Sequence, residues 1–484
     1  MREVQRLQMD LGETDPRFVS IDPKNRDELT DTLIGLQHIC RDAELKRIVF
    51  DKLESLIPDY RKGKSGRPGT SMWETLVLAV VRLSCNLDYD MLKSLADNHK
   101  ILRQMLGLGV FSEKKYALQT LRDNFYLLTD EVLAEIGTLV VKAGHRFLKV
   151  EDALDARADS FVVHSNVHFP TDVNLLLDAM RKSIQGIAAL ADELGLPGWR
   201  KSFYNAEKIR RECRKLQRMK HSTSKQPEVQ EKRQQQIIEC HSAYLNLCQR
   251  ILDKVDETLQ QIEDRQLPLS LFQSLQIDGI LRFRGYADHQ IDLIRRRVLN
   301  GETIPHSEKI FSIFEPYTEW ISKGKAGVRQ ELGLNVCVIS DDLGFILHHR
   351  VMQNELDVDV ALPLTQATLK DFRLQSISFD KGFHSPQNQI DLANLVGNVV
   401  LPKKGRRNKK EQERESTPAF VKRRYAHSAV ESTINGLDHG GLDRCPDRSL
   451  RGFKRYVAVG ILARNLKTLG AAAKAARLEK KQAA

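Results

Sequence analysis

Apolar residues recur three and four positions apart over residues 25–60, with Leu33, Leu36 and Ile39 in one group and Ile48, Leu53 and Ile57 in the next, ending at Pro58. Two helices are expected there. Ser71 offers an N-cap to an apolar helix over 72–85, and helical spacing returns at 88–97, 100–106, 117–125 and 130–147. Residues 1–63 therefore read as a helical segment and 64–147 as a compact all-helical domain. The basic loop at its start, Arg61 to Gly69, suits a helix-turn-helix type of DNA reader, although periodicity alone fits a helical scaffold with no ligand equally well.

The pattern changes at Asp159. Residues 160–169 are β-rich and close at Pro170, with Pro170 to Asp172 reading as the N-cap of a helix from about Val173. Helical periodicity, rich in Lys, Arg, Glu and Gln, fills 175–266, and its stretches 206–219 and 229–262 read as a helical hairpin. Cys240, His241 and Cys248 in that stretch read as packing residues. Two β runs, 335–340 and 345–352, flank the turn Asp341-Asp342-Leu343-Gly344 and predict an antiparallel hairpin. A helix over 358–370, a strand over 374–379, a helix over 387–395 and a strand over 398–401 follow. Strands alternating with helices after a hairpin imply an α/β mixed sheet with helices packed on it, over 155–470, interrupted by a long helical insertion at 175–266 and followed by a basic tail at 471–484.

Composition narrows the partner. The 484 residues carry 75 Lys and Arg against 64 Asp and Glu, a net charge of +11, which points to a polyanion. A hydrophobic fraction of 41% excludes a disordered chain. No apolar run reaches the ~18 residues of a membrane span, and seven scattered cysteines without CxxC spacing suit reduced thiols in a cytoplasm, so a soluble, non-exported protein is expected. The excess charge is local. Residues 401–428 hold ten Lys and Arg against three Glu, including Lys403, Lys404, Arg406, Arg407, Lys409, Lys410, Lys422, Arg423 and Arg424, and are expected as a loop that steers phosphates. Residues 464–484 add six basic residues against Glu479.

Three acids stand where such a sheet presents ligands. Asp159 opens the first strand, Asp380 directly follows the strand over 374–379, and Glu431 borders the apolar stripe Val430, Ile434 and Leu437. Three carboxylates suit hard divalent cations such as Mg²⁺, and two ions ~3.5 to 4 Å apart support in-line phosphoryl displacement. Taken singly, each acid also reads as an ordinary strand, turn or solvated helix residue.

The blocks Asp159-Ser160-Phe161-Val162-Val163-His164-Ser165-Asn166-Val167-His168-Phe169-Pro170-Thr171-Asp172, Phe379-Asp380-Lys381-Gly382-Phe383-His384-Ser385-Pro386, and His427-Ser428-Ala429-Val430-Glu431-Ser432 with Gly440-Gly441-Leu442-Asp443-Arg444-Cys445-Pro446 resemble the three catalytic segments of DDE-class bacterial insertion-sequence transposases of the ISNCY-like kind. The block from Gly66-Arg67-Pro68 to about Phe125 is similar to the domain that precedes their catalytic core. This resemblance implies a ribonuclease-H-like fold with Asp159, Asp380 and Glu431 as the catalytic metal-binding triad. It further implies two Mg²⁺ ions, for which Mn²⁺ substitutes, and double-stranded DNA as partner, both as element ends and as target. A homodimer in the active complex and a bacterial cytoplasmic location follow from the same resemblance. His427 stands four residues before Glu431, where related families often carry an Arg, and is grouped with the DNA-binding residues. The implied activity is cleavage at terminal inverted repeats and strand transfer. A ribonuclease-H-like endonuclease without strand transfer and a domesticated DNA-binding protein are the alternatives.

Overall fold

The computed structural model of the chain describes residues 2–5, 12–59, 69–150, 153–219, 221–266, 268–322 and 330–482. The basic loop over 61–69, apart from Gly69, and the block Gly66-Arg67-Pro68 lie outside the described residues. The chain forms two compact units, Met1–Asn166 with Glu319–Ala484, and Val167–Thr318.

Among the described residues the first unit carries seven α-helices ahead of its sheet, α1 (Leu29–Arg41), α2 (Ala43–Ser55), α3 (Met72–Ser84), α4 (Tyr89–Asn98), α5 (Lys100–Met105), α6 (Leu118–Phe125) and α7 (Asp130–Leu148). Local chemistry sets their starts. The Ser71 hydroxyl accepts from the Glu74 backbone N–H at 3.1 Å and the Glu74 carboxylate accepts from the Ser71 N–H at 3.2 Å, a closed capping box at the head of α3. These helices share their compact unit with the sheet.

Strand β1 (Ala153–Ser165) is the hub of that sheet. It starts six residues before Asp159, so Asp159 lies inside the strand and not at its opening. The stretch before it, Ala153-Leu154-Asp155-Ala156-Arg157-Ala158, carries only small or single apolar residues, and pairing on both sides makes it a strand where hydropathy alone does not. In the second unit α8 (Asp172–Glu193), α9 (Ser202–Arg218), α10 (Pro227–Asp264) and α11 (Leu271–Ile294) pack around a core that includes Leu176, Ile187, Tyr244, Val255 and Ile291. This unit runs to Thr318, well beyond the expected limit of 266, because α11 restarts after Pro268. The Thr171 hydroxyl caps α8, while Asp172 occupies its first turn and pairs with Arg297 at 2.9 Å. His241 bonds the Ile237 carbonyl within α10 and Cys248 is buried, as packing residues should be.

The chain returns through β2 (Glu319–Ser322), β3 (Gln330–Asp341) and β4 (Ile346–Val351), the last two being the expected hairpin. Next come α12 (Asp357–Leu369), β5 (Arg373–Phe379), α13 (Pro386–Leu395) and β6 (Asn398–Val400). Strand β3 runs antiparallel to β1, with Asp159 opposite Val338, whereas β5 runs parallel to β1 and β6 parallel to β5. The sheet is mixed and open, with helices around it, and the protein is α/β. Among the described residues no helix is long and apolar enough to cross a membrane, and all seven cysteines are free thiols.

Two expectations fail near the carboxyl end. Residues 401–428 are not a simple loop: α14 (Lys409–Ser416) and α15 (Pro418–Ala426) form there, each with a capped start. After α16 (Ala429–Leu437) and the short β7 (Arg444–Cys445), the expected basic tail is instead part of α17 (Ser449–Gln482). Lys474 pairs with Asp31 at 2.9 Å and Arg477 donates to Gln37 at 3.0 Å, so these tail cations are used inside the fold. Helix α17 crosses α1 and packs on α7.

Burial also creates a pH dependence at the hairpin. His349 on β4 is half-buried, and desolvation, aided by neighbouring His348, lowers its pKa to about 3. The folded state therefore disfavours a proton that the unfolded chain accepts near pH 6.5. Stability from this group is complete above that pH and declines as the pH falls from about 6.5 towards 3, by at most about 1.4 kcal/mol per pH unit. Denaturant unfolding at pH 7 and pH 5 should show the decline, and His349→Leu should flatten it by close to one proton.

Candidate functional site

Strand register brings the first two acids together. Ala158 on β1 pairs with Phe379, the last residue of β5, in parallel, so the next residues, Asp159 and Asp380, stand level where β5 ends. Beyond Phe379 the chain leaves the sheet through a single turn over Lys381–Phe383, which frees the exposed Asp380 carboxylate from the ladder. Helix α16 packs on β1 and carries Glu431, exposed, in its first turn.

The electrostatics record this convergence. The Asp159 carboxyl is pushed up to about 6, first by burial and then by the negative charges of Asp380, Asp357 and Glu431, against one opposing hydrogen bond from the Ser160 N–H. Asp380 and Glu431 thus both bear on the Asp159 carboxyl. No cation among the described residues pairs with Asp159.

Asp357, at the first residue of α12, is a fourth acid that sequence reasoning missed. Its Oδ1 accepts from the Ser160 hydroxyl at 2.7 Å, and its pKa is raised by burial and by Asp380, with Lys404 acting in the opposite direction. An acid in the first turn of a helix normally needs no further explanation, which is why the sequence gives no signal for it. Gly382 keeps the space open between two of the acids, since a Cβ there would stand 3.2 Å from Asp357 Oδ2 and 3.9 Å from Asp380 Oδ2.

His427, the C-cap of α15, is anchored with Nδ1 3.0 Å from the Ser378 hydroxyl on β5. Burial lowers its pKa, Asp380 and Glu431 pull it upward, and Arg157 pushes it down again. The ring is therefore a neutral group held beside two of the acids.

The cations divide into two sets. Lys403 pairs with Glu411 at 2.7 Å, and Arg407 pairs at 2.8 Å with the buried Glu415, whose other oxygen accepts from the Lys403 N–H at 2.8 Å. These contacts fold the stretch after β6 back onto α14. Among the described residues, Lys404, Arg406, Lys409, Lys410, Lys422, Arg423 and Arg424 have no acidic partner and remain as an uncompensated positive surface leading into α16.

The donor set consists of hard oxygen ligands, Gly382 leaves space open beside Asp357 and Asp380, and among the described residues no cation pairs with Asp159, so the chemistry of the set fits a divalent ion such as Mg²⁺. Among the described residues the side chains are not drawn into a closed ion cage, and no group of three His, Cys, Asp or Glu forms one. No protein-family model, curated protein or solved structure matches the chain.

Proposed function

We propose that the chain is a DDE-type transposase with a ribonuclease-H-like core, which binds the terminal inverted repeats of its insertion sequence, cleaves at their ends and joins them to target DNA. The observation that carries this reading is the level placement of Asp159 and Asp380 on parallel neighbours, with Glu431 acting on the same carboxyl and a cationic helical pair leading into the Glu431 helix. Asp159, Asp380 and Glu431 are the residues that would hold Mg²⁺. When bound, such ions activate an attacking oxygen and stabilise the leaving one.

The other roles belong to the chain itself. The unpaired cations of α14 and α15 draw phosphates to the acidic rim, which otherwise repels a polyanion. His427, held neutral by burial and oriented by Ser378, contributes ring N–H hydrogen bonding without adding a charge. Joining two ends together requires two active sites, so the working complex is a homodimer.

The test uses duplexes carrying the inverted repeats that flank the reading frame. Wild type should nick them at the ends in Mg²⁺ and not in EDTA. The triple variant Lys404→Glu, Arg406→Glu, Lys410→Glu should bind on the order of 10²-fold more weakly at 150 mM salt and show a shallower salt slope. Equal binding by the triple variant would remove the DNA-steering role of these helices, and cleavage that persists in EDTA would remove the metal site.

A further inference from the structure

At the other end of α16 from Glu431 lies a second polar feature that the proposed chemistry does not use. A cleft of about 430 Å³ opens between the carboxyl end of α3, the last turn of α16 and the middle of α17. Its ionisable lining comprises Arg464 and Lys467 from α17, His439 after α16, and Glu28, which is exposed. Arg464 and Lys467 are three residues apart and so share one face of the helix.

Arg464 is the unusual member. Its guanidinium lies against Gly436, so close that a Cβ there would stand 2.8 Å from Nη1 and 3.0 Å from Cζ. Its Nε is buried without a hydrogen-bond partner. No acid among the described residues pairs with it, and burial alone acts on its ionisation, in the downward direction. Arg464 as a whole is half-buried, and a guanidinium whose Nε is sealed from water without a partner or counter-charge is costly, because that donor loses water and gains nothing in return. Neighbouring elements are firmly held: Asn465 exchanges two hydrogen bonds, of 2.8 and 2.9 Å, with the Ile346 backbone, and Tyr456 donates to the Gly441 carbonyl at 2.9 Å. The arginine is thus held at the wall of a polar cleft by a fixed frame, with its donors unused.

We propose that this cleft is an oxyanion site that takes a phosphate-bearing ligand no larger than a mononucleotide. The guanidinium offers a planar fork of donors to two oxygens, and Lys467 supplies a second positive charge on the same face, a pairing that suits a phosphate dianion. The volume matches one nucleoside phosphate and excludes a duplex. The phosphate arrives either on a free nucleotide or on the 5′ end of a strand.

Calorimetry on the full chain with inorganic phosphate, adenosine 5′-monophosphate and a 5′-phosphorylated dinucleotide tests the site. One saturable phosphate per chain is expected, and Arg464→Met should weaken it about tenfold or more, while Lys208→Gln, an exposed cation of the other unit, leaves it unchanged. Tighter binding of the mononucleotide assigns a free ligand, and tighter binding of the dinucleotide assigns a strand end. No saturable phosphate binding, or equal binding by Arg464→Met, overturns the site. Should Arg464→Met not fold, Gly436→Ala displaces the guanidinium directly, and unchanged binding in that variant overturns the site equally.

Discussion

Replacing Asp380 by alanine is expected to lower metal-dependent strand cleavage on the order of 10³-fold while leaving binding of the element ends intact. Two structural facts separate those outcomes. The Asp380 side chain is exposed, stands just beyond the last residue of β5, and carries no hydrogen bond or ion pair among the described residues, so the fold does not depend on it. It is also level with Asp159 and bears on the Asp159 carboxyl, so its removal dismantles the acidic site. Thermal unfolding of Asp380→Ala should therefore resemble wild type, gel-shift affinity should be retained, and single-turnover cleavage should fall by that factor. Asp357→Asn is expected to fall between these extremes, because Asp357 touches the cluster through Ser160 but lies outside the triad. Metal-dependent cleavage retained in Asp380→Ala would end the triad assignment.

The second large effect is structural. Gly470→Ala is expected to destabilise the first unit by about 3 kcal/mol or more. Helices α1 and α17 cross with their backbones in contact. A Cβ at Gly470 would lie 1.7 Å from the Asp31 carbonyl oxygen, and one at Gly35 would lie 2.1 Å from the Leu466 carbonyl oxygen. Neither obstacle is a flexible side-chain end, so the helices must separate, and the buried residues Leu33, Leu36 and Leu469 along the crossing lose contact. Gly137→Ala provides the comparison. It adds the same methyl inside α7, where nothing stands within 4 Å of the new Cβ, and should be neutral or stabilising by up to about 1 kcal/mol. Denaturant midpoints of the two variants measured together test the crossing, and near-equal midpoints would contradict it.

How far the sequence carried this picture depends on how strongly each segment declares its period. The hairpin of β3 and β4 was legible because Val336, Val338, Ile339, Ile346 and Leu347 are β-branched or aliphatic around an Asp/Gly turn. Strand β5 was legible for the same reason, and with it the position of Asp380. The first half of β1 was not, since its alternation of Ala with charged residues resembles a helix start as much as a strand. Helix α11 was missed because Leu271, Phe272 and Leu275 are exposed at its start while Ile280, Ala287 and Ile291 are buried further on, so no single apolar stripe runs through it. The helices α14 and α15 were hidden by their charge, although the Asn408/Glu411 capping box was readable in the sequence. Asp159 and Asp380, from segments far apart in the chain, stand level on neighbouring strands, and Glu431 bears on the Asp159 carboxyl. Asp357 lay beyond reach, because only the fold carries the start of α12 to Ser160.

The joining of pre-cut ends tests the central claim most directly. Wild-type protein, Mg²⁺, a supercoiled plasmid and duplexes that present the element's ends with free 3′-hydroxyls should yield plasmid covalently linked to the duplex. The linkage should be absent with Asp159→Asn or Asp380→Ala, and the unjoined plasmid should otherwise stay intact. Nicked or linearised plasmid without any joined product, at the same metal concentration, would show a nuclease in place of a transposase and contradict the account.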